Sequence, residues 1–375
     1  MSESVDIEVR STRLRELDSL RGIAACGVLF WHYSAHFHAK PLEGLFAGFY
    51  RSGFYAVDFF FVLSGLVLAR AYGTEARRGR LAENIVKRIA RMFPLHIATL
   101  VLVALGQWIL TAVIEQRHFV VANNDLYHFL LNLGLAQFLG LQSGFSFNSP
   151  AWSISTEFYV NVAYLAVLAS GRRIIPIATT ILLASFVLIL ATGDGALAIV
   201  NMDRHPAAML TRTAYGFFTG VLLYEVVFCR SHLWKPNTVY FDIGFAVSVA
   251  ALLAGALGYL RFPPHVEMAS VLVGFPLLII STSQGRLFKR VLRLRPLTYL
   301  GEISYSIYLI HFPVQLALHL CVAAGWVKID YESPAILMLF LALTVLLASG
   351  SYHLLELPFQ RAINDLWRNH RKRTA

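Results

Sequence analysis

The stretch LDSLRGIAACGVLFWH, residues 17–32, decides how the chain is read. It is apolar apart from Asp18, Arg21 and His32 and runs on to about residue 37, long enough at about 1.5 Å per residue to cross a bilayer as a helix. Similar runs recur at about 52–72, 93–114, 151–170, 174–192, 206–229, 239–259, 266–283, 303–325 and 333–356. Composition agrees: 57% of the 375 residues are hydrophobic and 14% charged, against about a quarter charged in an ordinary soluble domain. The expectation is an all-α, polytopic integral membrane protein of about ten transmembrane helices. Residues 17–356 would form one membrane domain between an N-terminal tail, 1–16, and a basic C-terminal tail, 357–375.

The net charge of +10 raises the question of nucleic acid, and the positions of the basic residues answer it. Counted against the ten spans, 25 of the 32 Lys and Arg fall on one side; the other side has Lys40, Arg51, Arg117, Arg204, Arg212, Arg261 and Lys328. This is the positive-inside pattern, with both termini cytoplasmic and the inner membrane as the expected location. No nucleic-acid partner is needed. Asp18, Arg21 and His32 also argue against a cleaved signal peptide. Cys26, Cys229 and Cys321 have no metal-ligand spacing, so no metal site is expected, and no Walker loop or dinucleotide fingerprint occurs.

One non-cytoplasmic connection, about 115–150, stands out. Residues 127–141 are apolar but short for a span, which suggests a re-entrant or interfacial helix. The following QSGFSFNSP, residues 142–150, reads as an ordered loop, either covering a site that opens outward or resting on the membrane surface.

Ionisable residues at membrane depth point to function because they are costly there. Arg21 and His32 are eleven residues apart, about three turns plus 20°, so they share a face with about 16 Å between their levels. Snorkelling of Arg21, or its pairing with Asp18, and a satisfied core histidine at 32 are the structural alternatives. By depth, Asp58, Glu157 and Arg212 each lie about six residues inside the outer ends of their spans, near the level of His32. The expectation is that the four converge, as a general acid/base site or as a proton relay. Lys87, Arg88 and Arg91 fall within one helical turn before the third span, suited to lipid headgroups or to a phosphorylated ligand. In GEISYSIYLIHFPV, Tyr305, Tyr308 and His311 make a polar strip, for packing or for function.

Together these residues resemble the acyltransferase-3 family of bacterial integral-membrane O-acyltransferases. Arg21 and His32 fit its Arg-x10-His element, AVDFFFVLSG (residues 56–65) its second element, and RIAR, with Arg88 and Arg91, its Arg-x-x-Arg element. SPAWSISTEFYV fits the Trp-Ser-x-x-x-Glu element with Trp152, Ser153 and Glu157; RTAYGFFTG carries Arg212, and LGEISYSIYLIHFPV ends its match at His311. The resemblance implies acyl-CoA, in the first instance acetyl-CoA, as co-substrate, with no bound cofactor. It implies as acceptor a hydroxyl of an exopolysaccharide, lipopolysaccharide or related envelope glycan, with a small molecule such as a macrolide as the alternative. His32, with Glu157 and Asp58, would be catalytic. Arg21, Arg88 and Arg91 would bind the donor. Arg212, Trp152, Ser153, Tyr305 and His311 would contact the acceptor or the oxyanion. Membrane lipids and polysaccharide-assembly proteins are the further expected partners. Some members carry an extracytoplasmic esterase-like domain; this sequence has none, which implies direct acylation or hand-off to a separate protein. A proton-coupled exporter of a glycan or lipid intermediate is the rival reading.

Overall fold

A computed structural model describes residues 14–73, 80–192, 207–229, 238–256 and 268–374, and among these there is no strand. The basic residues Arg10, Arg13, Arg77, Arg78, Arg204, Arg230, Lys235 and Arg261 lie outside the described residues. In chain order the helices are α1 (Arg15–Phe37), α2 (Glu43–Ser52), α3 (Ala56–Tyr72), α4 (Leu81–Trp108), α5 (Leu126–Leu133), α6 (Trp152–Ala169), α7 (Ile174–Thr192) and α8 (Ala208–Val226). They continue with α9 (Thr238–Ala256), α10 (Phe275–Gln284), α11 (Leu287–Leu292), α12 (Arg295–Glu302), α13 (Ser304–Ala323), α14 (Pro334–Ser351) and α15 (Leu357–Thr374).

Five helical segments among the described residues are long and apolar enough to cross a membrane: Glu43–Tyr72, Leu81–Val113, Ile174–Ala191, Ser304–Ala323 and Pro334–His370. Several of them turn apolar side chains outward, such as Val101, Leu102, Leu105 and Trp108 on α4 and Met338, Leu339, Leu346 and Leu347 on α14. Contiguous exposed apolar surface of this kind needs lipid against it. The protein is a membrane protein. The interior helices α1, α6 and α8 differ, because protein surrounds them and lets them carry the ionisable groups. At the start of α6, residues 152–156 are all buried.

Small residues let the central helices touch. A Cβ on Gly65 of α3 would lie 1.9 Å from the Phe217 carbonyl, and one on Gly220 of α8 would lie 1.9 Å from the Val62 carbonyl. The two backbones therefore meet directly, as small-residue interfaces allow in membranes, where packing rather than hydrophobicity drives association.

Three expectations change. The third span begins near residue 81 rather than 93, since Leu81, Ile85 and Ile89 continue an apolar stripe that packs on the core. Arg88 and Arg91 thus stand within the helix of the third span and not ahead of it. The helix does not break at residue 356: a π-helical turn, Tyr352–Glu356, joins α14 directly to α15. Of residues 127–141, only an eight-residue helix, α5, is formed, about 12 Å long. It is far too short to span. Asp125 caps it by accepting from the His128 N–H at 3.0 Å, and Leu126, Tyr127 and Leu130 are exposed along it.

Candidate active site

Five helices line a cavity of about 150 Å³. Arg21 comes from α1, Arg88 and Arg91 from α4, Ser64 from α3, Ser153 and Glu157 from α6, and Tyr305 and Tyr308 from α13. The two arginine elements, far apart in sequence, therefore line one cavity. Arg88 reaches the Tyr72 hydroxyl at 3.4 Å with its guanidinium 5.7 Å from that ring, and its Nε is buried with no hydrogen-bond partner. Arg21 donates to the Ser304 hydroxyl at 3.2 Å and lies 3.6 Å from Asp18. Glu157 accepts from Ser64 at 2.6 Å, and the Tyr305 hydroxyl docks α13 on α4 by donating to the Met92 carbonyl at 2.5 Å.

Tyr308 also lines the cavity. Its hydroxyl lies 2.9 Å from the Pro150 carbonyl and 2.8 Å from Ser153 Oγ. A carbonyl only accepts, so Tyr308 donates to Pro150 and Ser153 donates to Tyr308. Beyond Tyr308, rings follow one another: Tyr308 to His311 at 5.9 Å between centroids, His311 to His32 at 4.7 Å, and His32 to His36 at 5.2 Å. His36 in turn bonds Gln315 at 2.9 Å. Pairing of Arg21 with Ser304, His32 with His311 and His36 with Gln315 shows that α1 and α13 run side by side in the same direction.

Each of the two facing histidines has Nδ1 against the carbonyl one turn earlier, His32 on Val28 at 3.1 Å and His311 on Ile307 at 3.4 Å. The proton in each neutral ring therefore belongs on Nδ1, which leaves Nε2 with a lone pair. His311 Nε2 is buried and has no hydrogen-bond partner.

Of the expected convergence of His32, Asp58, Glu157 and Arg212, the structure shows the pairing of Asp58 with Arg212. Glu157 lines the arginine cavity. Asp58 is 1% exposed and held in a two-point pair by Arg212, Nε to Oδ1 at 2.8 Å and Nη2 to Oδ2 at 2.6 Å. Trp152 stacks on this pair, 5.5 Å from the guanidinium carbon, and Arg212 Nη1 is left without a hydrogen-bond partner. Depth along a helix does not fix rotation about it: Glu157 bonds Ser64, Asp58 bonds Arg212 and His32 Nδ1 bonds the Val28 carbonyl.

The outer connection is ordered. Asn148 donates to the Leu309 carbonyl at 3.1 Å, and Gln107 holds both backbone groups of Phe119. The Phe119 ring lies against His36 at 5.9 Å and Phe312 at 5.6 Å. Residues 119 and 148 thus bring this segment over the histidine rings. Two site neighbours went unnamed in the sequence reading. His36 stands one turn after His32, a spacing legible in HYSAH. Glu356, 4% exposed on the π-helical turn, accepts from Ser306 at 2.8 Å and faces the charges of Arg91 and Arg21; its sequence context, at the end of an apolar run, carries no such signal.

A helical membrane protein whose interior holds a cation-lined cavity next to facing histidines has groups able to bind an anion and to exchange a proton. The chain matches the acyltransferase domain of the acyltransferase-3 family over residues 14–353 and belongs to that family; it is an O-acyltransferase. It is 26% identical over 359 residues to BcsY of Komagataeibacter xylinus, assigned as a membrane-bound transacylase, covering 92% of this chain and 82% of BcsY. It is 24% identical over 370 residues to the O-acetyltransferase OatA of Staphylococcus aureus, covering 92% of this chain but spanning only 57% of the length of OatA. A protein of the picA locus of Rhizobium radiobacter is 34% identical over 163 residues, 40% of this chain and 78% of that relative. No solved structure matches the chain.

Proposed function

We propose that this enzyme moves an acyl group, acetyl in the first instance, from cytoplasmic acyl-CoA to a hydroxyl of an extracytoplasmic or lipid-linked glycan. It would do so across about ten spans of the inner membrane, with both termini cytoplasmic. The observation that carries this reading is the cavity shared by Arg21, Arg88 and Arg91, which ends one helical turn from the facing pair His32 and His311.

Guanidinium groups match phosphate oxygens, so Arg88 and Arg91 hold the donor's phosphates, and its long arm extends past Arg21 toward Tyr308. His32 Nε2 takes the proton of the acceptor hydroxyl as its oxygen attacks the thioester carbonyl. A C–O bond forms and the carbonyl electron pair moves onto oxygen, where the partnerless Nη1 of Arg212, steadied by Asp58, supplies a donor. Collapse breaks the C–S bond, and the protonated His32 returns its proton to the departing thiolate. Glu157, held by Ser64, offsets the arginine charge between turnovers.

The test compares base-labile acyl groups on the envelope glycan, by NMR, in cells with and without the protein. His32→Ala at normal protein level is expected to reproduce the loss. Full acylation in the His32→Ala strain would sink the assignment. The proton-coupled exporter requires vesicles to move unmodified substrate without acyl-CoA; its carboxylate relay has no support here, since Asp58 is tied to Arg212 and Glu157 to Ser64.

A further inference from the structure

Tyr308 occupies a position that the transfer reaction does not explain by itself. It is 5% exposed, and both hydrogen-bonding directions of its hydroxyl are used, toward Pro150 and from Ser153. Its ring meets Phe60 edge-on at 6.2 Å on one side and His311 at 5.9 Å on the other. Phe60, Phe61 and Ile154 also line the cavity. The ring is therefore held by both hydrogen bonds between the cavity and the histidines, with His311 against it.

An acyl group carried into this cavity by a donor held at Arg21, Arg88 and Arg91 meets the Tyr308 ring, which lines it. A two-carbon group fits next to a locked aromatic wall; each further methylene must displace it. Well-packed interiors resist such displacement, since added methylenes force side chains off their preferred rotamers. We propose that Tyr308, backed by Phe60, is the residue that sets acyl chain length, restricting the donor to short acyl-CoAs. This rests on acyl-CoA being the donor.

The test uses the purified full-length protein and displacement of labelled acetyl-CoA by unlabelled acetyl-, butyryl- and hexanoyl-CoA. Wild type is expected to bind hexanoyl-CoA at least about tenfold more weakly than acetyl-CoA. Tyr308→Ala should narrow that gap to below about threefold, while Tyr308→Phe, which keeps the ring, should keep the gap. Because the readout is a ratio within one protein, a general loss of structure does not move it. Phe60→Ala opens the same wall from the facing helix and should narrow the gap as well, should Tyr308→Ala not accumulate. A wild type that takes hexanoyl-CoA as readily as acetyl-CoA overturns the proposal, whatever the variants do. So does a gap that persists unchanged in a folded Tyr308→Ala. Failure of acetyl-CoA itself to bind wild type instead overturns the donor reading.

Discussion

The two sides of Tyr308 are furnished differently. On one side lie three arginines, one carboxylate and a cavity; on the other lie three histidines in ring contact, with the aromatic side chain of Phe119 over them. Arginine stays charged at any working pH and binds anions by geometry, whereas histidine exchanges protons near neutrality. Binding and bond-making are thus separated by about one helical turn. Beside the boundary, the Asp58–Arg212 pair shows the same residue type used in a third way, its charge consumed by a partner inside the fold.

The largest effect is expected at the histidines. His32→Ala should lower kcat by about a thousandfold, within the range for removal of a general base, with the donor KM nearly unchanged. A rise in donor KM with kcat intact would erase the distinction between the two sides. Next comes the ion pair. Breaking a buried pair by removing one partner costs about 3–5 kcal/mol, because the other charge is stranded. Asp58→Ala should therefore deplete folded protein in the membrane, measured by thermal unfolding in detergent. Asp58→Leu combined with Arg212→Met should restore folding, since both charges go together. If the double variant folds but transfers no acyl group, Arg212 serves the reaction as well as the fold.

How much of this was legible differs from residue to residue. The five segments able to cross a membrane were readable because bilayer crossing imposes a length and an apolar content on each helix. The residue content of the site was also readable, since Arg21, Arg88, Arg91, Glu157 and Tyr305 are conspicuous in apolar surroundings. Their grouping was not. Glu157 and Asp58 lie at depths that suggested one site with His32, yet rotation about α6 and α3 assigns one to the arginines and the other to Arg212. Nor did RIAR read as part of the third span's own helix, because its charges mask the apolar stripe of Leu81, Ile85 and Ile89 that extends α4. Glu356 was invisible for a different reason: its meaning comes from Ser306 and Arg91, fifty or more residues away.

The arginine side gives the third effect. Arg88→Ala with Arg91→Ala removes charge-assisted contacts worth about 1.5–3 kcal/mol each, so the donor KM should rise by at least about tenfold while the acceptor KM holds. Steady-state kinetics with acyl-CoA and acceptor varied in turn check it. An acceptor KM that moves instead would reverse the assignment of the two sides.

The smallest effect tests the outer boundary of the histidine side. Asn148 holds the 115–150 connection to α13 by one bond to the Leu309 carbonyl, and Tyr308 holds the same connection by its bond to Pro150. Asn148→Ala removes the first tether and leaves the second. A single neutral hydrogen bond is worth about 1 kcal/mol net, so the segment should open about fivefold more often without unfolding the bundle. If the acceptor arrives from this side, its KM should change by a few-fold in Asn148→Ala while the donor KM, governed on the far side of Tyr308, stays constant. Equal changes in both would mean that the tether acts through Tyr308 on the cavity, and that the two sides are mechanically one.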